Sequence, residues 1–427
     1  MNRYRQYMYS YPHKTAYGPL TDLRLDDYKP RLMAPGAVNS LYFHVPFCEA
    51  KCGYCNLFSL AGQAPELVEA YLEAMARQIE QYQLAEVTFT DLTVGGGTPL
   101  YLSAAQLERL LALAAEGVHF QTAKPPIIIE TSPRQTTAEK VQILKAHGVC
   151  RVSLGVQSFH DQELSALGRL HRRQDIERAL ALLQQADFEC LNLDLIYGVP
   201  GQSEQSVLAS LRLTLAYEPD EIFLYPLYVK PGTPLYRQGQ RVSDEAYALY
   251  RALRQKLLEA GYTQTSMRRF VRTLAKEDVW DGCGFAEHTL AIGCGGRSYI
   301  DELHFCVPYS VRPAGCARIL QAYLQKADHQ VIEHGYILSP AERKRRFLLK
   351  NLLYYRGVPL KAYTALFGCS PLDDFPVLEE WRAAQWLVGD EGDYLRLTEA
   401  GLDLSDYLGP ELISPEVQAK MEAWRDE

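Results

Sequence analysis

Apolar, β-branched runs recur along the first 230 residues, each followed by a stretch whose apolar positions repeat every three to four residues. The runs predict strands at Ser40–Val45, Val87–Val94, Ile127–Thr131, Arg151–Val156, Leu191–Tyr197 and Ile222–Val229. Helical spacing fills the gaps at Pro65–Tyr82, Ala104–Glu116, Ala138–His147, Arg173–Ala186 and Glu204–Tyr217, with a further helix at Asp244–Gly261. Ser103 and Thr137 stand where N-caps belong. Short connections between alternating strands and helices predict a parallel sheet with helices outside. A doubly wound open sheet suits the pattern; six units of this kind suit an incomplete (β/α) barrel better. From about Ala314 the pattern changes to helices at Gly315–Gln325, Ala341–Arg356 and Pro376–Ala384, then a hairpin from Trp386 to Leu397 turning at Gly389–Asp393. The expected fold is therefore α/β, a partial (β/α)6 barrel with a smaller, mainly helical C-terminal domain carrying a hairpin.

Polar residues interrupt these apolar runs at one recurrent place, the C-terminal ends of the strands, where barrels of this type carry their chemistry. After the first strand comes Cys48-Glu-Ala-Lys-Cys52-Gly-Tyr-Cys55, and after the second Gly95-Gly96-Gly97-Thr98-Pro99. Glu130 ends the third strand, Gln157 the fourth, and Asp194 lies in the fifth. Three thiolates on one short loop suit three irons of a [4Fe–4S] cube, leaving the last iron open to a ligand that is not protein. Zinc with a remote fourth ligand, or an incidental thiol group, also suits three close cysteines. The glycine run allows backbone to approach a charged ligand closely. A carboxylate ending an apolar strand, as Glu130 does, needs a partner, and a ribose diol is a suitable one. Arg169, in Leu167-Gly-Arg-Leu-His171, has the fork to clamp a carboxylate.

Composition narrows the function classes. With 47% hydrophobic and 22% charged residues the chain is an ordinary globular one. It has no apolar stretch near the roughly 18 residues a membrane span requires, and Met1–Tyr7 lacks an apolar leader. Ten cysteines, three of them crowded on one loop, suit a reducing compartment, so a cytoplasmic location is expected. A net charge of −8 argues against nucleic acid as the main partner, and Arg343–Arg346 reads as a solvated helix face. Neither nucleic acid nor membrane is expected as a partner.

Taken together, Leu41 to Phe58, Gly95–Pro99, Glu130–Pro133, Gly155–Phe159 with Arg169, and Asp194–Gly201 resemble the oxygen-independent coproporphyrinogen III oxidase group of the radical S-adenosylmethionine superfamily. The resemblance covers about residues 38–235. It implies a [4Fe–4S] cluster on Cys48, Cys52 and Cys55, with S-adenosylmethionine on the open iron and a second S-adenosylmethionine beside it. Tyr42, Gly96, Gly97 and Glu130 would contact the first cofactor; Tyr54, Thr98, Gln157, Arg169 and Asp194 would line the second pocket, with Tyr228 adding a contact. The loop Gly293–Tyr299 falls at a ligand-facing position of the family.

The implied activity is reductive cleavage of S-adenosylmethionine to a 5′-deoxyadenosyl radical, used for methylation, C–C bond formation or oxidation. The substrate would be a small or tetrapyrrole-like molecule, and the electron donor a flavodoxin or ferredoxin. Two departures bear on this. Leu57 stands where the decarboxylating members carry a further cysteine, and no His-Asn pair supplies the haem motif of the haem-chaperone branch. The alternative function is haem binding or delivery without turnover, for which His44, His171, His288 and His304 are candidate axial ligands. Expected domains are an N-terminal strap (1–37), the barrel (38–265), a barrel-edge extension (266–313) and the helical C-terminal domain (314–427). Within the strap, Tyr9–Tyr17 with His13 and Lys14 is either a cover for the site or a surface feature.

Overall fold

The computed structural model describes residues 3–241, 245–273, 288–389 and 393–426. The strands of its large sheet are β1 (Gly18–Arg24), β2 (Asn39–Val45), β3 (Asp91–Gly96), β4 (Ile127–Thr131), β5 (Val149–Gln157), β6 (Cys190–Tyr197), β7 (Glu221–Pro226), β8 (Thr263–Gln264), β9 (Arg269–Val271), β10 (His288–Ile292), β11 (Arg297–Ile300), β12 (Leu303–Cys306) and β13 (Val331–Ile337). Neighbours run in the order β1-β13-β12-β11-β10-β2-β3-β4-β5-β6-β7-β9-β8. From β2 to β7 every pairing is parallel, which is the expected partial barrel. Its helices are α1 (Pro65–Tyr82), α2 (Ala104–Gly117), α3 (Ala138–Ala146), α4 (Arg173–Ala186), α5 (Glu204–Leu215) and α6 (Ala246–Glu259). Ser103 closes a capping box with Gln106, and the Thr137 side chain accepts from Lys140 N.

Several boundaries differ from the pattern in the chain for local reasons. Thr88–Phe89 leaves the sheet to pair with His119–Phe120, so β3 begins only at Asp91. β7 stops at Pro226, which has no N–H to continue a ladder. Asp244 at the expected start of α6, and the hairpin turn between Gly389 and Asp393, fall outside the described residues. The flanks of that hairpin, Leu387–Gly389 and Tyr394–Leu397, are antiparallel, and Val358–Pro359 joins them as a third strand.

The stretch after the barrel divides between its two ends. β9 pairs antiparallel with β7, while β10 pairs parallel with β2 at the opposite side, followed by the antiparallel β11, β12 and β13. The N-terminal stretch also has two parts. β1 closes the outer edge of the sheet against β13, and residues before Gly18 run between the barrel and the C-terminal domain. One hydrophobic core lies between sheet and helices; a second fills the C-terminal domain around Leu348, Leu349, Tyr363 and Trp381. Tyr4 belongs to the first, and Met8, Tyr11, Ala16 and Tyr17 to the second. Among the described residues no helix is long and apolar enough to cross a membrane.

Candidate functional site

The cysteine loop leaves β2 at Pro46 and is closed at its base. Phe47–Cys48 pairs with Leu60–Ala61, with Leu60 N to Pro46 O at 2.7 Å and Gly62 N to Cys48 O at 3.0 Å. At its tip, Gly53 N donates to Leu167 O and Gly53 O accepts from Leu235 N, both at 2.9 Å. A side chain at Gly53 would meet Leu235 at 3.0 Å, so glycine allows this docking. Lys51 Nζ gathers three carbonyls, Leu57 and Ser59 at 3.3 Å and Val311 at 2.7 Å. The loop is therefore fixed by backbone contacts, leaving its thiols free to face a ligand.

Cys48 is buried, while Cys52 and Cys55 are partly so. Burial, then the neighbouring Cys55, pushes the Cys48 thiol up to about 12. Burial and then Cys52 raise Cys55 as well. With burial holding Cys48 and Cys55 as thiols, iron would bind there with release of their protons. Among the described residues, no group of three or more His, Cys, Asp or Glu side chains is placed to hold a metal ion. A cube makes a different demand, because each cysteine takes a separate iron.

The glycine run is tied to this loop. Gly97 N donates to Val45 O and Thr98 N to Phe47 O, both at 2.8 Å. A Cβ on Gly97 would fall 2.6 Å from Phe47 O and 2.9 Å from Cys48 Sγ. Thr98 Oγ1 lies 3.7 Å from the same sulfur. Gly96, at φ +116°, has no room for a side chain against His44, and its N–H donates to Glu130 Oε2 at 3.1 Å. Glu130 is reachable by solvent, yet the protein around it withholds most of the water. That burial lifts its carboxyl to about 7, against the Gly96 bond and with help from Asp194.

A second group gathers at the ends of β5 and β6. Gln157 has φ +68° at the register irregularity opposite Asp194 and Leu195. Its Nε2 and Arg169 Nη2 come within 2.7 and 3.0 Å of where a Gly155 Cβ would stand. The Arg169 guanidinium lies 6.0 Å from the Tyr54 ring centre, and its buried Nε has no hydrogen-bond partner. Asp194 accepts from Asn192 Nδ2 at 2.9 Å and is raised to about 6 by burial. The Oδ1 of Asn192 is also buried without a partner. Unpaired polar atoms of this kind are costly and suit a polar ligand that would pair them. Tyr54, Gln157, Arg169 and Asp194 thus lie together, and the cysteine and glycine loops form the adjoining wall.

Other expected positions have different partners. Tyr228 donates its hydroxyl to Asp406 and accepts from Arg268 Nη2 at 3.0 Å, at the seam with the C-terminal domain. The Gly293–Tyr299 loop packs on protein: Gly293 against Tyr71, Gly295 against His44, Gly296 against Tyr42. His44 connects the two loops, its Nε2 to Phe58 O at 3.1 Å and its Nδ1 to Tyr42 hydroxyl at 3.2 Å. Burial lowers it to about 4, so it is neutral and holds these loops in place. His171 bonds Val156 O, His288 lies between Asn39 and Asp301, and His304 is sealed against Tyr17 and Tyr299. All four candidate axial histidines are therefore built into the fold. Leu57, in place of a further cysteine, is 42% exposed.

Arg268, Asp406 and Tyr225 carry no motif in the sequence that marks them as site residues. Arg268 and Asp406 form a buried ion pair beneath Tyr7, whose ring centre lies 3.7 Å from the guanidinium carbon. Tyr7 also lies 6.3 Å from the Tyr225 ring, which stands within electrostatic reach of Asp194 and Glu130. The N-terminal segment therefore passes over the second group of residues. The crowding of tyrosines near the N-terminus was the available signal.

A parallel partial barrel with a three-cysteine loop after its first strand, a glycine ledge after its second and polar side chains on the following strand ends defines the radical S-adenosylmethionine class. The family model for the radical SAM superfamily matches residues 42–214. The chain is 32% identical over 336 residues to heme chaperone HemW of Synechocystis sp., covering 74% of this chain and 78% of that one. It is 28% identical over 342 residues to heme chaperone HemW of Lactococcus lactis, covering 78% and 86%. Against oxygen-independent coproporphyrinogen III oxidase of Bradyrhizobium diazoefficiens it is 27% identical over 391 residues, covering 85% and 83%. The solved structure of Escherichia coli coproporphyrinogen III oxidase (HemN) shares the fold, with a TM-score of 0.78 at 22% identity over 98% of each chain. The chain belongs to the radical SAM superfamily, in the group that holds HemW and the oxygen-independent coproporphyrinogen III oxidases.

Proposed function

We propose that this chain is a radical S-adenosylmethionine protein whose ligand is a haem-type tetrapyrrole, bound for delivery, and that it retains the residues for S-adenosylmethionine cleavage. The cofactor half rests on one observation: the ledge of Gly96 and Gly97 lies against Cys48 with its N–H on Glu130. The tetrapyrrole half rests on relatives named as heme chaperones and coproporphyrinogen oxidases. Haem delivery is favoured over porphyrinogen oxidation by the names of the more similar relatives and by Leu57 in place of a thiol.

The donor set fits a cluster and its nucleotide. Cys48, Cys52 and Cys55 would hold iron, and the cluster, when bound, supplies the electron for reductive cleavage of S-adenosylmethionine. The Gly96–Gly97 backbone would take the methionyl amine, and Glu130 the ribose diol. Tyr42 and His44 would steady that wall. Tyr54, Thr98, Gln157, Arg169 and Asp194 would line a second S-adenosylmethionine pocket, Arg169 clamping its carboxylate; Tyr228 would serve there only after releasing Asp406. One observation supports turnover beside delivery: Arg169 Nε and Asn192 Oδ1, next to Tyr54 and Asp194, are buried without a hydrogen-bond partner, as groups awaiting a polar ligand would be. A flavodoxin or ferredoxin would supply electrons.

The test is anaerobic cluster reconstitution followed by two assays on the same sample. With dithionite and S-adenosylmethionine, 5′-deoxyadenosine is expected above the level of a reductant-free control. With haem, a saturable absorbance change is expected, and extraction after turnover separates delivery (haem unchanged) from modification (haem with added mass). A fully loaded protein that binds no haem would overturn the tetrapyrrole reading. One that forms no 5′-deoxyadenosine under several reductants would overturn the retained cleavage.

A further inference from the structure

The cysteine loop is supported from behind by residues far from it in sequence. After the helix Pro415–Ala423 come Trp424, Arg425 and Asp426. Asp426 sets its side chain, only 7% exposed, into the turn formed by Ser310, Val311 and Arg312. There its carboxylate accepts from Ser310 Oγ at 2.5 Å, Val311 N at 3.2 Å and Arg312 N at 3.1 Å. The helix Pro313–Gln325 starts from this turn without a capping side chain of its own at Arg312, so Asp426 supplies the anion its positive end lacks. Cys316 in that helix holds the turn from below, its thiol donating to Ser310 O at 3.2 Å.

The fixed turn then reaches the cysteines. Val311 O accepts from Lys51 Nζ at 2.7 Å, while Leu57 O and Ser59 O accept from the same ammonium at 3.3 Å. Lys51 directly precedes Cys52, and Leu57 follows Cys55 by two residues, so this one cation spans both sides of the pair. Trp424 provides a second link. Its ring lies 5.2 Å from that of Tyr309 at 29°, and the Tyr309 hydroxyl donates to Asn56 O at 2.5 Å, next to Cys55.

The geometry points to a remote latch: Asp426 is a positioning residue for the cysteine loop, acting through the Ser310–Arg312 turn to hold Lys51 in place, with Trp424 as a second clasp through Tyr309. A carboxylate with so little access to water needs donors, and the N–H groups at a helix start need an acceptor, so each fixes the other. Both links end on carbonyls of the loop, which orders it while leaving its thiols for iron. A cation kept beside the thiols would also act on the potential of a cluster bound there. Only that effect rests on the function proposed above; the latch itself belongs to the chain.

The test reads the loop directly, by tryptic cleavage after Lys51 in the iron-free full chain. Asp426→Ala should speed that cleavage by about tenfold or more, the order expected when charge-assisted hydrogen bonds are lost. Cleavage after Lys145, on the barrel helix α3, should stay as it was, and Asp426→Glu should restore part of the protection at Lys51. Trp424→Leu gives the same comparison if Asp426→Ala does not fold. Unchanged cleavage after Lys51, or an equal rise at Lys145, overturns the latch. In the reconstituted chain, Lys51→Met should make the cluster's reduction potential more negative, because a neighbouring cation is lost. Asp426→Ala should move it the same way, and the double variant should add little to either. Additive shifts, or none in Asp426→Ala, overturn the route through Lys51. A chain that takes up no iron fails the cluster reading alone, and the tryptic comparison then decides the latch.

Discussion

Glu130 was legible because a carboxylate ending Ile127-Ile-Ile needs an explanation, and the structure gives it the Gly96 N–H and a raised pKa of about 7. The unfolded chain deprotonates this residue near its ordinary 4.5, whereas the folded chain keeps the proton to about 7. Folded protein thus binds more protons than unfolded across that window, and stability is lost as pH rises through it. In cofactor-free protein, Glu130→Gln should raise the melting temperature at pH 8 more than at pH 5, while weakening S-adenosylmethionine binding. Thermal melts at the two pH values check the sign. Gly97→Ala, whose methyl would meet Phe47 O at 2.6 Å, should fold yet lose most of its iron on reconstitution. His44 and Tyr228 were harder to place. A buried histidine reads the same as a ligand until its partners are seen, and Tyr228 finds Arg268 and Asp406 at separations of 40 and 178 residues.

Elements followed the hydrophobic pattern wherever they were long enough to have one. The parallel strands β2 to β7 and helices α1 to α6 are each visible as runs or periods. β9, with three residues, is too short for a period, so the antiparallel closure beside β7 was not foreseeable. Helix Pro340–Leu352 ends before the expected Arg356 because Tyr354 bridges to Ser266 and Tyr355 N donates to Thr265 O at 2.8 Å. That contact brings the C-terminal domain to the barrel next to the Arg268–Asp406 pair. Removing one member leaves the other charge buried and unpaired, at a cost of about 3–5 kcal/mol. Asp406→Asn should lower stability by that order in urea titrations. A double change to apolar residues of similar size, Arg268→Met with Asp406→Leu, should recover most of it.

For the whole molecule, the N-terminal segment joins parts that the sequence presents as separate. It inserts Tyr4 into the barrel core and Met8, Tyr11, Ala16 and Tyr17 into the C-terminal core. Tyr11 donates to the buried Glu342 and accepts from Ser414 N at 3.3 Å. Tyr11→Phe removes both bonds and should cost about 1–3 kcal/mol. Deleting residues 1–17 should lower the melting temperature but keep one thermal transition in calorimetry, because direct bonds also cross that seam: Tyr250 and Gln264 to Asp403, Arg254 to Glu399 and Asp403, and Arg268 to Asp406. Two separate transitions in the truncated chain would show the N-terminal segment to be the main tie between the domains.

The most direct measurement of the central claim is iron, sulfide and electron paramagnetic resonance on the anaerobically reconstituted chain, before and after adding S-adenosylmethionine. The expected result is about four irons and four sulfides per chain, lost when Cys48, Cys52 and Cys55 become alanine, with a reduced-cluster signal that changes when the nucleotide is added. Iron retained by the triple variant, or a full cluster whose signal ignores the nucleotide, would contradict it.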